Sequence, residues 1–183
     1  MTDITVATST STSNGGFLYA IDSTGTQTMT IIMDGTSTYM SGLSSTGGSG
    51  GAFYINAALG SFSMTSTSST IATSTASING GFAYIKAASS ITISKATMTS
   101  ITSTNSGSII YSSASSTVYS ISNSIFKCLS APFTNNEPSL TNSLSNIGGA
   151  FYIVSATSIT SNTNTIENCY IGDVGGAYYL QNT

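Results

Sequence analysis

Short runs of alternating apolar and polar residues, each opened by small residues, recur along this chain. The clearest run is two small residues, two mostly apolar residues and a tyrosine, and it occurs six times. It reads Gly15-Gly16-Phe17-Leu18-Tyr19, Gly50-Gly51-Ala52-Phe53-Tyr54, Gly80-Gly81-Phe82-Ala83-Tyr84, Gly107-Ser108-Ile109-Ile110-Tyr111, Gly148-Gly149-Ala150-Phe151-Tyr152 and Gly175-Gly176-Ala177-Tyr178-Tyr179. The intervals between copies are 35, 30, 27, 41 and 27 residues, so a unit of 27 carries insertions of varying length. Self-similarity at such a period, with strand-like units, predicts a solenoid.

Each turn before a strand needs a residue that accepts positive φ, which places Gly15, Gly50, Gly80, Gly107, Gly148 and Gly175 at sharp turns. In the strand that follows, successive side chains point to opposite faces. The pairs Leu18/Ala20, Phe53/Ile55, Ala83/Ile85, Ile110/Ser112, Phe151/Ile153 and Tyr178/Leu180 form the more apolar face and are assigned to the core. The tyrosine then lies on the outer face, followed two residues later by Ile21, Asn56, Lys86, Ser113, Val154 and Gln181. Coils stacked about 4.8 Å apart would turn Tyr19, Tyr54, Tyr84, Tyr111, Tyr152 and Tyr179 into an external ladder. Such a ladder either stiffens one sheet by internal stacking or offers a surface to another subunit or a sugar.

Further strands repeat in the same frame. Eleven residues after the first glycine stand Ile91, Val118 and Ile159, and eighteen after it stand Met98, Ile125 and Ile166. Val6, counted backwards, joins the second group. Asn123 and Asn164 also match, as do Cys128 and Cys169. Equivalent places in neighbouring coils allow a Cys128–Cys169 disulfide, and two buried thiols fit equally well. The expected fold is all-β: a right-handed single-stranded parallel β-helix of about five full coils plus partial end coils. It forms one domain over residues 1–183, with an insertion loop at 131–147 that holds both prolines.

Composition narrows the function. Three lysines, six carboxylates, no arginine and no histidine leave no basic surface for nucleic acid and no general base of the histidine type. Asp22, Asp34 and Asp173 fall at different offsets and Glu137 lies in the insertion, so neither a catalytic cluster nor a metal site is predicted, and no cofactor. Serine and threonine number 67, and can solvate a β-surface without charge or accept O-linked sugar. No run is long and apolar enough for a membrane-spanning helix.

The segment Asn164-Thr165-Ile166-Glu167-Asn168-Cys169 followed by Gly175-Gly176-Ala177-Tyr178, with a weaker match at Ser124-Ile125-Phe126-Lys127-Cys128, resembles the GGA-type repeats of parallel β-helix surface proteins. Bacterial polymorphic outer-membrane proteins and repeat-rich proteins of protists carry such repeats. The resemblance implies a pectin-lyase-like β-helix displayed outside the cell in adhesive or structural roles. The invariant tyrosine departs from that pattern and points to a specialised use of one face.

The expected function is therefore architectural: a non-catalytic, extracellular or cell-surface fibre or surface-layer subunit, whose partners are itself and covalent or bound glycans. Residues 175–183 supply a first strand and residues 1–14 the later part of a coil, so head-to-tail stacking of ends is expected to give a homopolymer. The alternatives are a carbohydrate-binding or adhesin module and an ice-binding protein. Thr73/Thr75 and Thr97/Thr99 suggest the latter, but their offsets from the glycines differ and predict no single regular array.

Overall fold

The structure, a computed structural model, describes residues 3–128, 149–167, 169 and 177–181. The predicted loop at 131–147 and the turn glycines Gly148 and Gly175 lie outside the described residues. The described chain is all-β, with no helix, and its parallel sheets stack as a β-solenoid of about five turns.

Three sheets form the walls. The first has six strands, Leu18–Ile21, Phe53–Asn56, Ala83–Ala87, Ile110–Ser112, Phe151–Val154 and Tyr178–Gln181. It is the sheet of the glycine–tyrosine units. The second has five, Thr30–Met33, Ser61–Met64, Ser90–Ser94, Val118–Ser122 and Ser158–Asn162. The third is bent. One arm stacks Ile4–Val6, Ser37–Met40, Ser68–Ile71, the first half of Ala96–Ser103, Ile125–Cys128 and Thr165–Glu167. The other arm stacks Ser9–Ser11, Leu43–Ser45, Ser74–Ala76 and the second half of Ala96–Ser103. In that long strand the bend falls at Ser100, which adopts φ 55° where the ladder register shifts.

Alternation buries one column of side chains per inward position. Ile31, Phe62, Ile91, Tyr119 and Ile159 form one column in the second sheet. Val6, Met40, Ile71, Met98, Phe126 and Ile166 form another in the third. Phe53 packs against Phe62 of the second sheet at 4.9 Å and against Phe82, at the corner of the next coil, at 5.2 Å between ring centroids, so the aromatic side chains join both walls and coils. Core aromatics bury large apolar areas and dominate such packing.

The fourth coil departs from the expected frame. The shared frame aligns Val118 with Ile91 and Ile159, and Ile125 with Met98 and Ile166, but Val118 pairs with Ser90 and Ser158, Ile125 pairs with Thr97 and Thr165, and both face outward. Tyr119 and Phe126 hold the inward positions instead, fully buried. The cause is one additional residue in the turn between Ser112 and Val118, because a shift of one residue exchanges the two faces of a strand. By the same shift Asn123 stands level with Thr163 rather than Asn164, and both take positive φ, 51° and 54°. Asn164 accepts a hydrogen bond from the Ser124 amide at 3.0 Å and donates to the Ile121 carbonyl at 2.8 Å.

The residue after the two small ones is a second surprise. Simple alternation puts it on the tyrosine side, yet Ala52, Phe82, Ile109 and Ala150 are buried. The chain is still bending there, and each strand begins one residue later. Phe17 and Leu18 both donate to the single carbonyl of Ala52, which marks the bend.

The glycine corner is set by space as well as torsion. Gly80 takes φ +64°. Gly81 has no room for a side chain, since a Cβ there would overlap the carbonyl oxygens of Thr102 in the bent sheet and Ser108 in the next coil's turn. Ser108 stands at the corresponding place one coil on, and the bent sheet's second arm, which presses on Gly81, has its last described strand at residue 103. Gly25, by contrast, has φ +68° in a loop where a Cβ would meet nothing. Gly81→Ala is therefore expected to cost at least about 2 kcal/mol, and Gly25→Ala only the left-handed backbone cost of roughly 1 kcal/mol. Urea midpoints of the two variants check this. A loss at Gly81 no larger than that at Gly25 would deny the close approach.

Candidate functional site: an external tyrosine ladder

The six tyrosines of the repeated unit are direct partners in register: Tyr19 to Tyr54, Tyr54 to Tyr84, Tyr84 to Tyr111, Tyr111 to Tyr152, and Tyr152 to Tyr179. Their rings form one column on the outer face of the first sheet. Centroids are 5.1, 5.0, 4.6 and 4.9 Å apart from Tyr54 through Tyr179, with interplanar angles of 8°, 7°, 1° and 9°. Tyr19 is tilted by 33° at 4.9 Å and is 52% exposed. The ring spacing is the spacing of the hydrogen-bonded strands, so identical side chains in identical rotamers stack without adjustment.

Stacking determines what the column can offer a partner. Each inner ring covers both faces with its neighbours, so the ladder presents ring edges and a line of phenol groups. Tyr179 donates its hydroxyl to Gln181 Oε1 at 3.1 Å. Burial first, and neighbouring phenols second, raise the pKa of Tyr54 and of Tyr111, and the same holds for Tyr152 beside Tyr179. Tyr119 is different: it lies inside the second sheet, donates to Ser112 Oγ, and burial pushes it up to about 12.

At the corner before the glycines, a second polar column binds successive coils. Asn14 Oδ1 accepts from the Ser49 amide at 2.8 Å, the Asn79 amide donates to Ser49 Oγ at 3.3 Å, and Asn79 Oδ1 accepts from the Ser106 amide at 3.1 Å. These contacts hold the turn that starts each tyrosine strand. The offset of the asparagines from the glycines was visible in the sequence, though their role was not.

Cys128 and Cys169 form a disulfide, with Cα atoms 4.8 Å apart. The two are not level in the ladder. Lys127 pairs with Glu167, so Cys128 lies one residue beyond that rung and Cys169 two residues beyond it. The Lys127 amine meets the Glu167 carboxylate at 2.9 Å beside the bond, an exposed pair of small energetic weight.

Two of the described carboxylates serve loops. Asp22 accepts from the amides of Thr24 and Gln27 and from the Thr24 hydroxyl, which fixes the loop after the first tyrosine strand and lowers its pKa. Asp3 does the same for Thr36 and Ser37. Among the described residues no group of three His, Cys, Asp or Glu gathers as a metal ion would need. Asp173 and Glu137 lie outside the described residues. Thr97 and Thr99 both face outward, but their neighbours in adjacent coils include Ile125 and Lys127, so they do not extend into a two-column threonine array.

No known protein family, curated protein or solved structure matches this chain.

Two outcomes follow from the ladder. Tyr111→Ser breaks two stacked pairs and is expected to cost about 1–3 kcal/mol. Tyr39→Ser, an outward tyrosine between Thr5 and Thr70, removes a ring with the same strand preference but no stack. Chemical denaturation of both variants isolates the stacking term, and equal losses would deny it. In alkali, Tyr119 ionises near pH 10 when unfolded and at about 12 when folded. Its contribution to stability is thus intact below about pH 10 and disappears as pH rises through about 12, and Tyr54, Tyr111 and Tyr152 act in the same direction. Spectrophotometric phenol titration alongside unfolding at each pH is expected to show stability falling before the last phenol ionises. Constant stability across that window would contradict the burial of Tyr119.

Proposed function

We propose that this chain is a non-catalytic structural protein, a subunit of an extracellular fibre or surface layer in which β-solenoid rods pack together. The observation that carries the reading is the uninterrupted tyrosine stack along one wall. A stack whose ring faces are mutually covered is poorly suited to sugar rings, which bind on aromatic faces. It is well suited to lie along a second rod, because ring edges and phenols form a straight stripe that a flat β-wall can meet. Only nine charged side chains, three basic and six acidic, stand in the way of close approach between like rods. The outer positions of the second sheet are hydroxyl-rich, including Ser61, Ser63, Ser90, Thr92 and Ser120, so water or O-linked sugar can cover the remaining walls. The disulfide supports a location outside the reducing cytosol. We further place the chain near the GGA-repeat, pectin-lyase-like surface proteins. Its partner is a second copy of itself, side by side and, where coils meet, end to end.

Negative-stain electron microscopy of the purified chain is expected to reveal filaments or sheets with a lateral repeat. Tyr84→Arg with Tyr111→Arg should disperse them into short soluble species, as light scattering would record. Single monodisperse rods from the unaltered chain, together with specific signals on a glycan array, would replace this reading with the carbohydrate-binding one.

A further inference from the structure

We infer that the tyrosine ladder is an intrachain oxidative cross-linking site, at which Tyr111 and Tyr152 couple into dityrosine under a peroxidase-type oxidant and hydrogen peroxide. The inference concerns bonds within one chain and stands independently of whether rods assemble. Tyr111 and Tyr152 are the closest and most parallel pair of the ladder, with ring centroids 4.6 Å apart and ring planes within 1° of parallel. Parallel stacking sets the ring carbons next to the hydroxyl of one residue over those of the next. Each side chain turns about only two torsions on an outer face, so a small tilt brings those carbons together. Holding two reactants in place in this way makes their joining effectively unimolecular.

The chemistry balances. Each phenol gives up one electron and its hydroxyl proton, and the two ring radicals join through carbons adjacent to the hydroxyls. The hydrogen on each joined carbon then shifts to its oxygen, restoring both phenols. The two electrons and two protons convert one hydrogen peroxide into two waters. Tyr19, half exposed at the end of the column, is the ring most open to an oxidant. Electron exchange between like phenols at ladder spacing has no net driving force, so a radical formed there can move inward along the stack. Burial keeps Tyr111 and Tyr152 protonated above the ordinary phenol range, which makes loss of the proton part of the oxidation step. The new bond would tie strands Ile110–Ser112 and Phe151–Val154 directly, in the same pair of coils that Cys128 and Cys169 already join.

Tyr39 supplies the internal control. It is 43% exposed, and its neighbours in register are Thr5 and Thr70, so it is more open to oxidant than the inner ladder rings but has no stacked phenol. The full chain, kept dilute, is treated with a haem peroxidase and hydrogen peroxide. Dityrosine fluorescence is followed, and cross-linked peptides lacking two hydrogens are mapped by mass spectrometry. The expected result is intrachain dityrosine whose yield is independent of protein concentration. Tyr111–Tyr152 should be the main product, exceeding any link to Tyr39 at least about tenfold. Tyr152→Phe keeps a ring in the stack without a phenol, and should abolish that product while leaving Tyr54–Tyr84 coupling in place. The inference is overturned if dityrosine is absent, if its yield rises in proportion to protein concentration, if Tyr39 couples as often as the ladder, or if Tyr152→Phe leaves the yield and products unchanged.

Discussion

The hydrogen-bond spacing between parallel strands governs this molecule. Once each coil is held about 4.8 Å above the last, every residue at a given place in the repeat is forced into contact with its counterparts. Side chains that tolerate stacking on themselves are then favoured at each position. Tyrosine does so through its ring, as at Tyr84, Tyr111 and Tyr152, and asparagine and serine do so through amide-to-side-chain bonds, as at Asn14, Ser49 and Asn79. Charged residues do not, because like charges at that distance repel, and the chain holds few of them. The Lys127–Glu167 pair is the exception that fits, with opposite signs on adjacent coils.

The same spacing makes corners the demanding part of the structure. A coil must turn several times without lifting off its neighbour, so residues at bends sit against backbone of their own coil and of the next. Gly81 is pressed by two carbonyls, and Lys95, Asn123 and Thr163 share one corner in left-handed conformation. A left-handed threonine is unfavourable in isolation, and it persists here because the strands on either side fix the path. Two buried hydroxyls at one corner are satisfied together: Thr38 and Ser66 bond to each other and Ser66 donates to the Met33 carbonyl. The walls are therefore held by repetition, whereas each corner is held by its own set of contacts.

The repeat also separates two uses of aromatic residues. The inward rings of Phe53, Phe62 and Phe82 meet edge-on or tilted, joining the first wall to the second and to its next coil. Outward tyrosines meet face to face, joining only their own column. The first arrangement fills a volume, and the second builds a line. A line of phenols along one wall is a surface feature that the core does not require, which is why the functional reading and the cross-linking inference both rest on it.

How much of this was legible beforehand depended on whether a position could be counted from a nearby glycine. The tyrosines lie four residues after their glycines in every copy, too few for a register error to enter, so the outer column and the inward pairs such as Phe53/Ile55 could be read directly. Val118 and Ile125 lie beyond a turn whose length changes from coil to coil, and one additional residue moved them outside and put Tyr119 and Phe126 in the core. Burial of Ala52, Phe82 and Ile109 was hidden for a related reason, because alternation holds only after the bend has ended. The cysteine spacing allowed either a bond or two thiols, and only the approach of Cys128 and Cys169 to 4.8 Å between Cα atoms decided it. The sequence alone determined the period, the strand type and the chemistry of the tyrosine face, since these follow from local alternation and repetition. The tertiary structure decided which residues stack on which beyond each turn, because that depends on how many residues a corner absorbs when its path is fixed by the coils it touches.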